Sequence, residues 1–335
     1  MAFFDLPLDE LRTYRPQVAE PADFEEFWLG SIKEAEQYDL DVRLEAFDNR
    51  QAAVDAHDVS FSGWGGTRVR AWLLAPAGAK GPLPTIVTFL GYSGGRGFPF
   101  ATPWTGAGYA QLVMDTRGQG WNSHSVFEPT DDSDEAAGDA GHPGLMTRGI
   151  RSRETYYYRR LYVDALRAVQ TAKSLPQVDP SQVWVQGHSQ GGGLAIAATG
   201  LAAMAGVSLA GAMPDVPFLC HFERAITLTD AEPYREISQY LRTRPGEHDR
   251  VLEVLSYFDA VNFARRAEVP ALFSVALMDA VCPPSTVFAA YNEWGAAIEE
   301  SSQTMIKVYP HSGHEGGQYL QVWECLGWLA GLRKA

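Results

Sequence analysis

Residues 182–200 read QVWVQGHSQGGGLAIAATG, and their order predicts a strand, a sharp turn and a helix. The run begins with alternating β-branched and aromatic residues and ends with small residues suited to a tightly packed helix. Ser189 lies at the turn in a G-x-S-x-G pattern, which is typical of a nucleophile held in a strained backbone conformation. The flanking glycines allow the strand and the helix to approach closely. This stretch therefore predicts a nucleophile elbow with Ser189 as the nucleophile.

The residues around the turn favour an elbow over a glycine-rich turn that only packs. Val178, Asp179 and Pro180 precede the strand, and a further glycine, Gly193, follows in the helix. Other short apolar runs along the chain alternate with helical patterns, which indicates a parallel sheet. We predict an α/β fold of the α/β-hydrolase type, with a mostly parallel central sheet and helices on both faces.

The composition is that of an ordinary globular protein and excludes several partners. The chain has 335 residues, of which 46% are hydrophobic and 20% charged, and its formal net charge is −14. Nucleic acids and anionic membranes require basic surfaces, so neither is an expected partner. The acidic beginning of the sequence and the lack of a long apolar run predict a cytoplasmic protein. Three cysteines far apart (Cys220, Cys282 and Cys325) fit neither a disulfide framework nor a zinc-knuckle spacing.

No composition break divides the chain, so we predict one domain over residues 1–335. A helical extension occupies about residues 1–40, and a helical insertion at about 216–263 is expected to lie as a lid over the carboxyl ends of the strands. The other predicted elements are antiparallel edge strands within 40–76, strands at 84–90, 110–115, 207–214, 271–278 and 304–309, and helices at 22–38, 153–175 and 319–332.

A second G-x-S-x-G pattern surrounds Ser93, in the glycine-rich run 91–97. Two prolines follow it closely, so the helix that an elbow requires cannot form there. A glycine-rich loop after an early strand is instead where hydrolases of this type donate one oxyanion-hole amide. We predict that the backbone N–H groups of Tyr92 and Gln190 form the oxyanion hole.

Three residues of the right types each follow a predicted parallel strand, in the order Ser189, Asp279, His314. This is the order of nucleophile, acid and base in α/β-hydrolases. A hydroxyl becomes a good nucleophile when an imidazole takes its proton, and a buried carboxylate holds that imidazole in the correct tautomer. We therefore predict a catalytic triad of these three residues.

Other candidate residues are assigned less direct roles. His311 and His314 form an H-x-x-H pair, but catalytic zinc needs three protein ligands and a third is not evident, so no metal is predicted. Asp215, Asp249 and Asp259 lie before or within the insertion, so they compete poorly with Asp279 for the role of the acid. His188, beside the nucleophile, is expected to point away from the substrate.

Two charged features receive structural interpretations. Arg117, at the end of a predicted strand, is expected to form an ion pair that fixes its loop. The run EPTDDSDEAAGDAG at 128–141 lacks the spacing of a calcium loop and is expected to be a solvated surface loop.

Several motifs together resemble carbohydrate esterase family seven, the acetyl xylan esterases that are also called cephalosporin C deacetylases. The resemblance extends from about the N-terminal helix to the end of the chain. It departs from the family at Ser93, where asparagine is expected, at Ala280-Val281 after the acid, and in the acidic run 128–141. The matching motifs are RGQ at 117–119, GHSQG at 187–191, HE at 314–315, MTRGI at 146–150, TYYYRR at 155–160, DVPFLCHF at 215–222 and CPPSTVFAAYN at 282–292.

The resemblance implies deacetylation of small substrates, including acetylated xylo-oligosaccharides and cephalosporin C, without a cofactor. It also implies a cytoplasmic hexamer, a dimer of trimers whose active sites face an inner cavity. Tyr92, Pro217 and Phe218 are expected to bind the substrate and to form a narrow acyl pocket beside the nucleophile. Two alternatives remain open: another serine hydrolase, such as a peptidase of the prolyl oligopeptidase type, and a non-catalytic ligand-binding protein with a hydrolase fold.

Overall fold

A nine-stranded sheet organises the computed structural model, which describes residues 3–122, 127–132, 144–296 and 303–332. The strands are β1 (Arg43–Phe47), β2 (Val54–Ser62), β3 (Arg68–Pro76), β4 (Leu83–Phe89), β5 (Ala110–Met114), β6 (Val178–His188), β7 (Gly211–Asp215), β8 (Ala271–Ala276) and β9 (Thr304–Tyr309).

The sheet has the strand order β1-β2-β3-β5-β4-β6-β7-β8-β9. The pairs β1–β2, β2–β3 and β3–β5 are antiparallel, and all pairs from β5–β4 onward to β8–β9 are parallel. The predicted antiparallel edge and parallel core are therefore confirmed. Parallel neighbours end at the same edge of the sheet, so the loops after β4, β6, β7, β8 and β9 can contribute to one site.

Helices cover both faces of the sheet, because alternate strand residues point to opposite sides. Ile86 and Trp184 belong to a cluster with side chains of α3 and α11, whereas Val87 and Val185 belong to the main core on the other face. The helices are α1 (Leu8–Leu11), α2 (Phe24–Ala35), α3 (Pro103–Gly106), α4 (Tyr157–Ser174), α5 (Gln190–Met204), α6 (Phe222–Leu228), α7 (Tyr234–Thr243), α8 (His248–Ser256), α9 (Ala260–Ala264), α10 (Pro284–Glu293) and α11 (Tyr319–Leu332).

The start of β7 differs from the predicted strand at 207–214. Gly206 has a φ of 65°, and the N–H of Val207 donates to the carbonyl of Ala202 at 2.8 Å. Gly206 thus terminates α5 in the left-handed conformation that glycine favours, and the N–H of Val207 is bonded to the helix instead of to the sheet. The strand begins at Gly211 instead.

The chain between β7 and β8 contains α6, α7, α8 and α9, and the role of this segment as a lid stays a prediction. The N-terminal helix α2 packs against it, since the indole N–H of Trp28 donates to the carbonyl of Tyr257 at 2.9 Å. Among the described helices, none combines the length and the apolar character needed to cross a membrane.

Candidate active site

The turn between β6 and α5 has the geometry of a nucleophile elbow. Ser189 has a φ of 59°, which is unusual for a residue with a side chain. A Cβ at Gly187 would lie 2.3 Å from the backbone of Gly191, and a Cβ at Gly191 would lie 2.2 Å from the carbonyl oxygen of Phe89. Both glycines are therefore required by close backbone approach. The N–H of Ser189 donates to the carbonyl of Asp215 at 2.9 Å, which holds the turn on β7.

The structure brings together the three residues that we predicted as a triad. His314 Nε2 lies 2.9 Å from Ser189 Oγ, and His314 Nδ1 lies 2.9 Å from Asp279 Oδ2. Asp279 is fully buried, and its Oδ1 accepts hydrogen bonds from the N–H groups of Val281 and Cys282 at 2.8 and 2.9 Å. These bonds fix the carboxylate so that Oδ2 faces the imidazole.

This arrangement has the hydrogen-bond polarity that nucleophilic catalysis requires. A carboxylate at Nδ1 favours the tautomer with the proton on that nitrogen, and Nε2 is then an acceptor directed at the Ser189 hydroxyl. Ser189 is 6% exposed, so the hydroxyl is largely shielded from bulk water. The site can accept a proton from Ser189 and return one to a leaving group.

Two backbone N–H groups beside the elbow are the predicted oxyanion hole. Gln190 is the first residue of α5, and Tyr92 lies in the loop after β4. Among the described residues, neither N–H donates a hydrogen bond to another protein group. The side-chain amide of Gln190 donates to the carbonyl of Leu90 at 3.3 Å, which places the Tyr92 loop next to the elbow. The roles of the two N–H groups remain a prediction.

A pair of buried glutamines connects the two halves of this site. Gln119 Nε2 donates to Gln190 Oε1 at 3.0 Å, and the N–H of Ser93 donates to Gln119 Oε1 at 2.7 Å. Tyr158 also donates its hydroxyl to Gln190 Oε1 at 3.0 Å. We did not assign these positioning roles from the sequence, although Gln119 and Gln190 lie in the motifs RGQ and GHSQG that carry the family resemblance.

The side chain of Tyr92 connects the loop after β4 to the inserted helices. Its hydroxyl donates to Glu236 Oε1 of α7 at 2.7 Å and accepts from the N–H of Leu145 at 3.1 Å. Burial, together with the neighbouring Glu236 carboxylate, raises the pKa of Tyr92. The hydroxyl therefore stays protonated and keeps donating to Glu236.

Pro217 and Phe218 lie directly behind the elbow. The N–H of Phe218 donates to the carbonyl of Ser189 at 2.9 Å, and a Cβ at Gly192 would lie 2.9 Å from Cα of Pro217. The ring of Phe218 is fully buried, with its centroid 4.2 Å from that of Tyr234. Their part in an acyl pocket stays a prediction.

His188 does not point away from the site as we expected. Its ring centroid lies 5.1 Å from that of His314, and its Nδ1 lies 2.9 Å from Asp215 Oδ2. The expectation is wrong because His188 is the last residue of β6 and is in register with Asp215 at the end of β7. The neighbouring strand thus supplies a partner that holds the imidazole at this edge of the sheet.

Arg117 forms the ion pair that we predicted. Its Nε lies 2.5 Å from Asp164 Oδ2, and both side chains are buried. Its Nη1 also lies 3.3 Å from Asp132 Oδ1. The contacts stabilise the loop after β5.

In the described part of the acidic run, residues 128–132, Glu128 and Asp131 are exposed as expected, but Asp132 is not. Asp132 is buried and forms ion pairs with Arg117, Arg148 and Arg160. Burial alone would raise the pKa of Asp132, but the guanidinium groups, led by Arg160, lower it. Residues 133–141 lie outside the described part of the chain. The expectation of a solvated loop is therefore wrong for Asp132, because three arginines compensate its buried charge.

The remaining acids and histidines are placed apart from the triad. Asp259 caps α9 and accepts from the N–H groups of His221 and Phe222, and Asp249 lies on α8. The ring of His311 contacts that of Phe3 at 6.2 Å between centroids. In the described residues, the donor atoms of Asp279, Cys282 and His314 lie within 4.8 Å of one another. His311 is not in this group. The imidazole of His314 is already hydrogen-bonded to Asp279 and Ser189.

Comparison with known proteins identifies a family. The acetyl xylan esterase (AXE1) family model matches residues 1–332. The solved acetyl xylan esterase from Paenibacillus sp. R4 is 33% identical, with a TM-score of 0.84, and the match covers 98% of this chain and 99% of that one. Acetyl xylan esterase 1 from Thermoanaerobacterium sp. JW/SL YS485 is 30% identical, with a TM-score of 0.83 and the same coverage.

A curated relative is longer than this chain. Acetyl esterase Axe7A of Xylanibacter ruminicola is 26% identical over 293 residues, which cover 83% of this chain and 61% of that protein. The chain therefore matches less than two thirds of the length of this relative.

Proposed function

This chain belongs to the acetyl xylan esterase family, and from that premise we propose that it is a serine acetylesterase acting through an acyl-enzyme on Ser189. The observation that carries the proposal is the continuous hydrogen-bonded chain from Ser189 through His314 to Asp279, with both contacts at 2.9 Å. The three groups are those that acyl transfer requires, in a geometry that permits proton transfer.

Acylation begins when Ser189 Oγ attacks the acetyl carbonyl carbon while His314 Nε2 takes the hydroxyl proton. Asp279 stabilises the resulting imidazolium through Nδ1. The carbonyl oxygen becomes an oxyanion, which the N–H groups of Tyr92 and Gln190 stabilise. The bond to the alcohol oxygen then breaks, and the imidazolium returns its proton to that oxygen. The products are a free alcohol and acetyl-Ser189.

Deacylation repeats these steps with water as the nucleophile. His314 takes a proton from the water, the hydroxide attacks the acetyl carbonyl, and Ser189 Oγ leaves with the proton that His314 returns. Acetate is released and the hydroxyl is restored. No cofactor takes part in the proposed reaction.

We propose small acetylated compounds as substrates, namely acetylated xylo-oligosaccharides and cephalosporin C. The similarity to acetyl xylan esterases supports acetylated xylo-oligosaccharides, and the family resemblance is the basis for proposing the antibiotic. A chromogenic acetate assayed with and without a serine-directed phosphonate tests the reaction. Loss of hydrolysis on phosphonylation of Ser189 is expected. Cleavage of peptide substrates in preference to acetates would favour a peptidase, and binding without turnover would favour a non-catalytic protein.

Rates are expected to fall with the length of the acyl chain. If Tyr92, Pro217 and Phe218 form a narrow acyl pocket, it accepts a methyl group, and each added methylene must displace a side chain at a cost of about 1 to 3 kcal/mol. A decrease of roughly tenfold or more from acetate to octanoate follows. Hydrolysis of acetate, butyrate and octanoate esters of one alcohol measures it, and faster hydrolysis of octanoate would contradict an acetylesterase.

The variant Phe218→Ala tests whether the Phe218 ring forms the wall of the acyl pocket. If the Phe218 ring limits chain length, this variant hydrolyses butyrate relatively faster than the unmodified protein does. Phe222→Ala is a matched control, because Phe222 also packs on Tyr234 but lies farther along the chain from Ser189.

We further propose that the protein is a cytoplasmic hexamer, a dimer of trimers with its active sites facing an inner cavity. This proposal comes from the family resemblance. Such an assembly admits oligosaccharides and excludes polymers, so acetylated xylo-oligosaccharides should be deacetylated much faster than polymeric xylan. Light scattering combined with the two rates tests it. A monomer in solution, or equal deacetylation rates per acetyl group on oligosaccharides and on polymeric xylan, would refute the proposed assembly.

A further inference from the structure

A second imidazole–carboxylate pair lies beside the first. His188 Nδ1 is 2.9 Å from Asp215 Oδ2, and the two residues are in register at the ends of β6 and β7. The other carboxylate oxygen of Asp215 accepts a hydrogen bond from the hydroxyl of Ser274. Ser274 is itself held by the N–H of Val216, which donates to its Oγ at 3.0 Å. The second imidazole is thus oriented by fixed groups, and the triad does not use it.

His188 lies beside His314, the residue that must protonate the departing alcohol in the proposed reaction. In the proposed reaction the departing alcohol oxygen must lie within about 3 Å of His314 Nε2 in order to receive its proton. The rings of His188 and His314 are 5.1 Å apart, centroid to centroid. The predicted oxyanion donors, Tyr92 and Gln190, lie in the loop after β4 and at the start of α5. An alcohol oxygen that receives the proton of His314 therefore lies near the His188 ring.

The His188 ring can be reached by a substrate. Its side chain is 42% exposed, whereas Asp279 is 1% exposed at its side chain. Asp215 occupies Nδ1, and among the described residues no side chain hydrogen-bonds Nε2. The backbone of His314 also hydrogen-bonds the His188 ring, which contributes to the raised pKa of His188. A group carried by the leaving alcohol can meet the exposed edge of the imidazole.

The chemistry of this edge favours a hydroxyl over a charged group. Burial disfavours the charged imidazole, but the hydrogen bond and charge of Asp215 outweigh it and raise the pKa of His188. Nε2 accepts a hydrogen bond when the imidazole is neutral and donates one when it is charged. A hydroxyl can donate in the first case and accept in the second, whereas a carboxylate only accepts and an ammonium group only donates.

We propose that His188 is a specificity residue that binds a free hydroxyl next to the ester, so that the preferred substrates are acetyl esters of polyols and partly acetylated sugars. The inference rests on the proposed acetylesterase function and names its substrate class. It also gives a role to the His188–Asp215–Ser274 chain.

The test compares two substrates in several proteins. The substrates are a monoacetylated methyl xylopyranoside with a free neighbouring hydroxyl and its analogue with hydrogen in place of that hydroxyl. In the unmodified protein, kcat/KM should favour the hydroxyl substrate by about three- to tenfold, as expected for one hydrogen bond. In His188→Ala the ratio should fall to about one. In Asp215→Asn, which keeps the imidazole but weakens its orientation, an intermediate ratio is expected.

The control variant is His311→Ala, which removes a histidine from the loop that also carries His314; the ring of His311 packs against Phe3. It should keep the ratio of the unmodified protein. An unmodified protein that shows no preference, or a His188→Ala variant that keeps the full preference, would overturn the inference. Equal loss on both substrates would show that His188 acts through the His314 backbone instead, and would overturn it too. Failure to hydrolyse either acetate would refute the proposed function separately.

Discussion

Replacing Ser189 with alanine is expected to abolish esterase activity. Without the hydroxyl no acyl-enzyme forms, and loss of a serine nucleophile lowers kcat by about 10⁶-fold in the analogous triad of a serine protease. The hydrogen bonds that hold the elbow are made by the backbone of Ser189, so the fold should be retained. Hydrolysis of a chromogenic acetate measures the rate, and circular dichroism checks the fold.

Ser93→Ala is the matched control for this experiment. Ser93 lies in the same five-residue pattern and also has a positive φ, 70° against 59° for Ser189. It differs in that no helix follows at once and no imidazole contacts it in the described structure; its N–H donates to Gln119 instead. Most of the activity should remain in Ser93→Ala. The reverse result, an inactive Ser93 variant and an active Ser189 variant, would exchange the two roles.

Replacing Asp279 with asparagine is expected to lower kcat by about 10⁴-fold, the loss known for the analogous change in a serine protease. An amide nitrogen in place of Oδ2 would donate to His314 Nδ1 and favour the wrong tautomer, with the proton on Nε2. The remaining amide oxygen can still accept from the N–H groups of Val281 and Cys282. We therefore expect a folded protein, as measured by thermal unfolding, with very slow turnover.

Asp249→Asn serves as the control for the acid. Asp249 lies on α8 in the insertion, and it was one of the carboxylates that the sequence left as competitors. Its replacement should leave turnover within about twofold, because substitutions at exposed sites away from the chemistry have small effects. Unchanged turnover in Asp279→Asn would instead transfer the role of the acid, with Asp215 as the next candidate because it already holds an imidazole.

The local pattern of apolar residues and glycines in the sequence was sufficient to predict most of the helices and strands. Strand β9 and helix α11 have the predicted bounds, and the G-x-S-x-G pattern predicted the sharp turn in which Ser189 has a strained backbone conformation. Patterns of this kind depend on periodicity and on steric freedom at single residues, which the sequence states directly. The order of Ser189, Asp279 and His314 after parallel strands was also enough to predict that they meet, because such strands end at one edge of a sheet.

The partners of individual side chains were decided by the tertiary structure. His188 turns to the active site because β7 places Asp215 beside it, and no pattern within β6 contains that information. Asp132 is buried although its neighbours in sequence are acidic, because Arg148 and Arg160 approach it from other segments. In both cases the free energy of burying a charge depends on groups distant in the chain. The sequence by itself determined the fold and predicted that Ser189, Asp279 and His314 meet at one edge of the sheet. The second imidazole–carboxylate pair and the buried arginine cluster required the packed structure, since only packing determines which charges compensate one another.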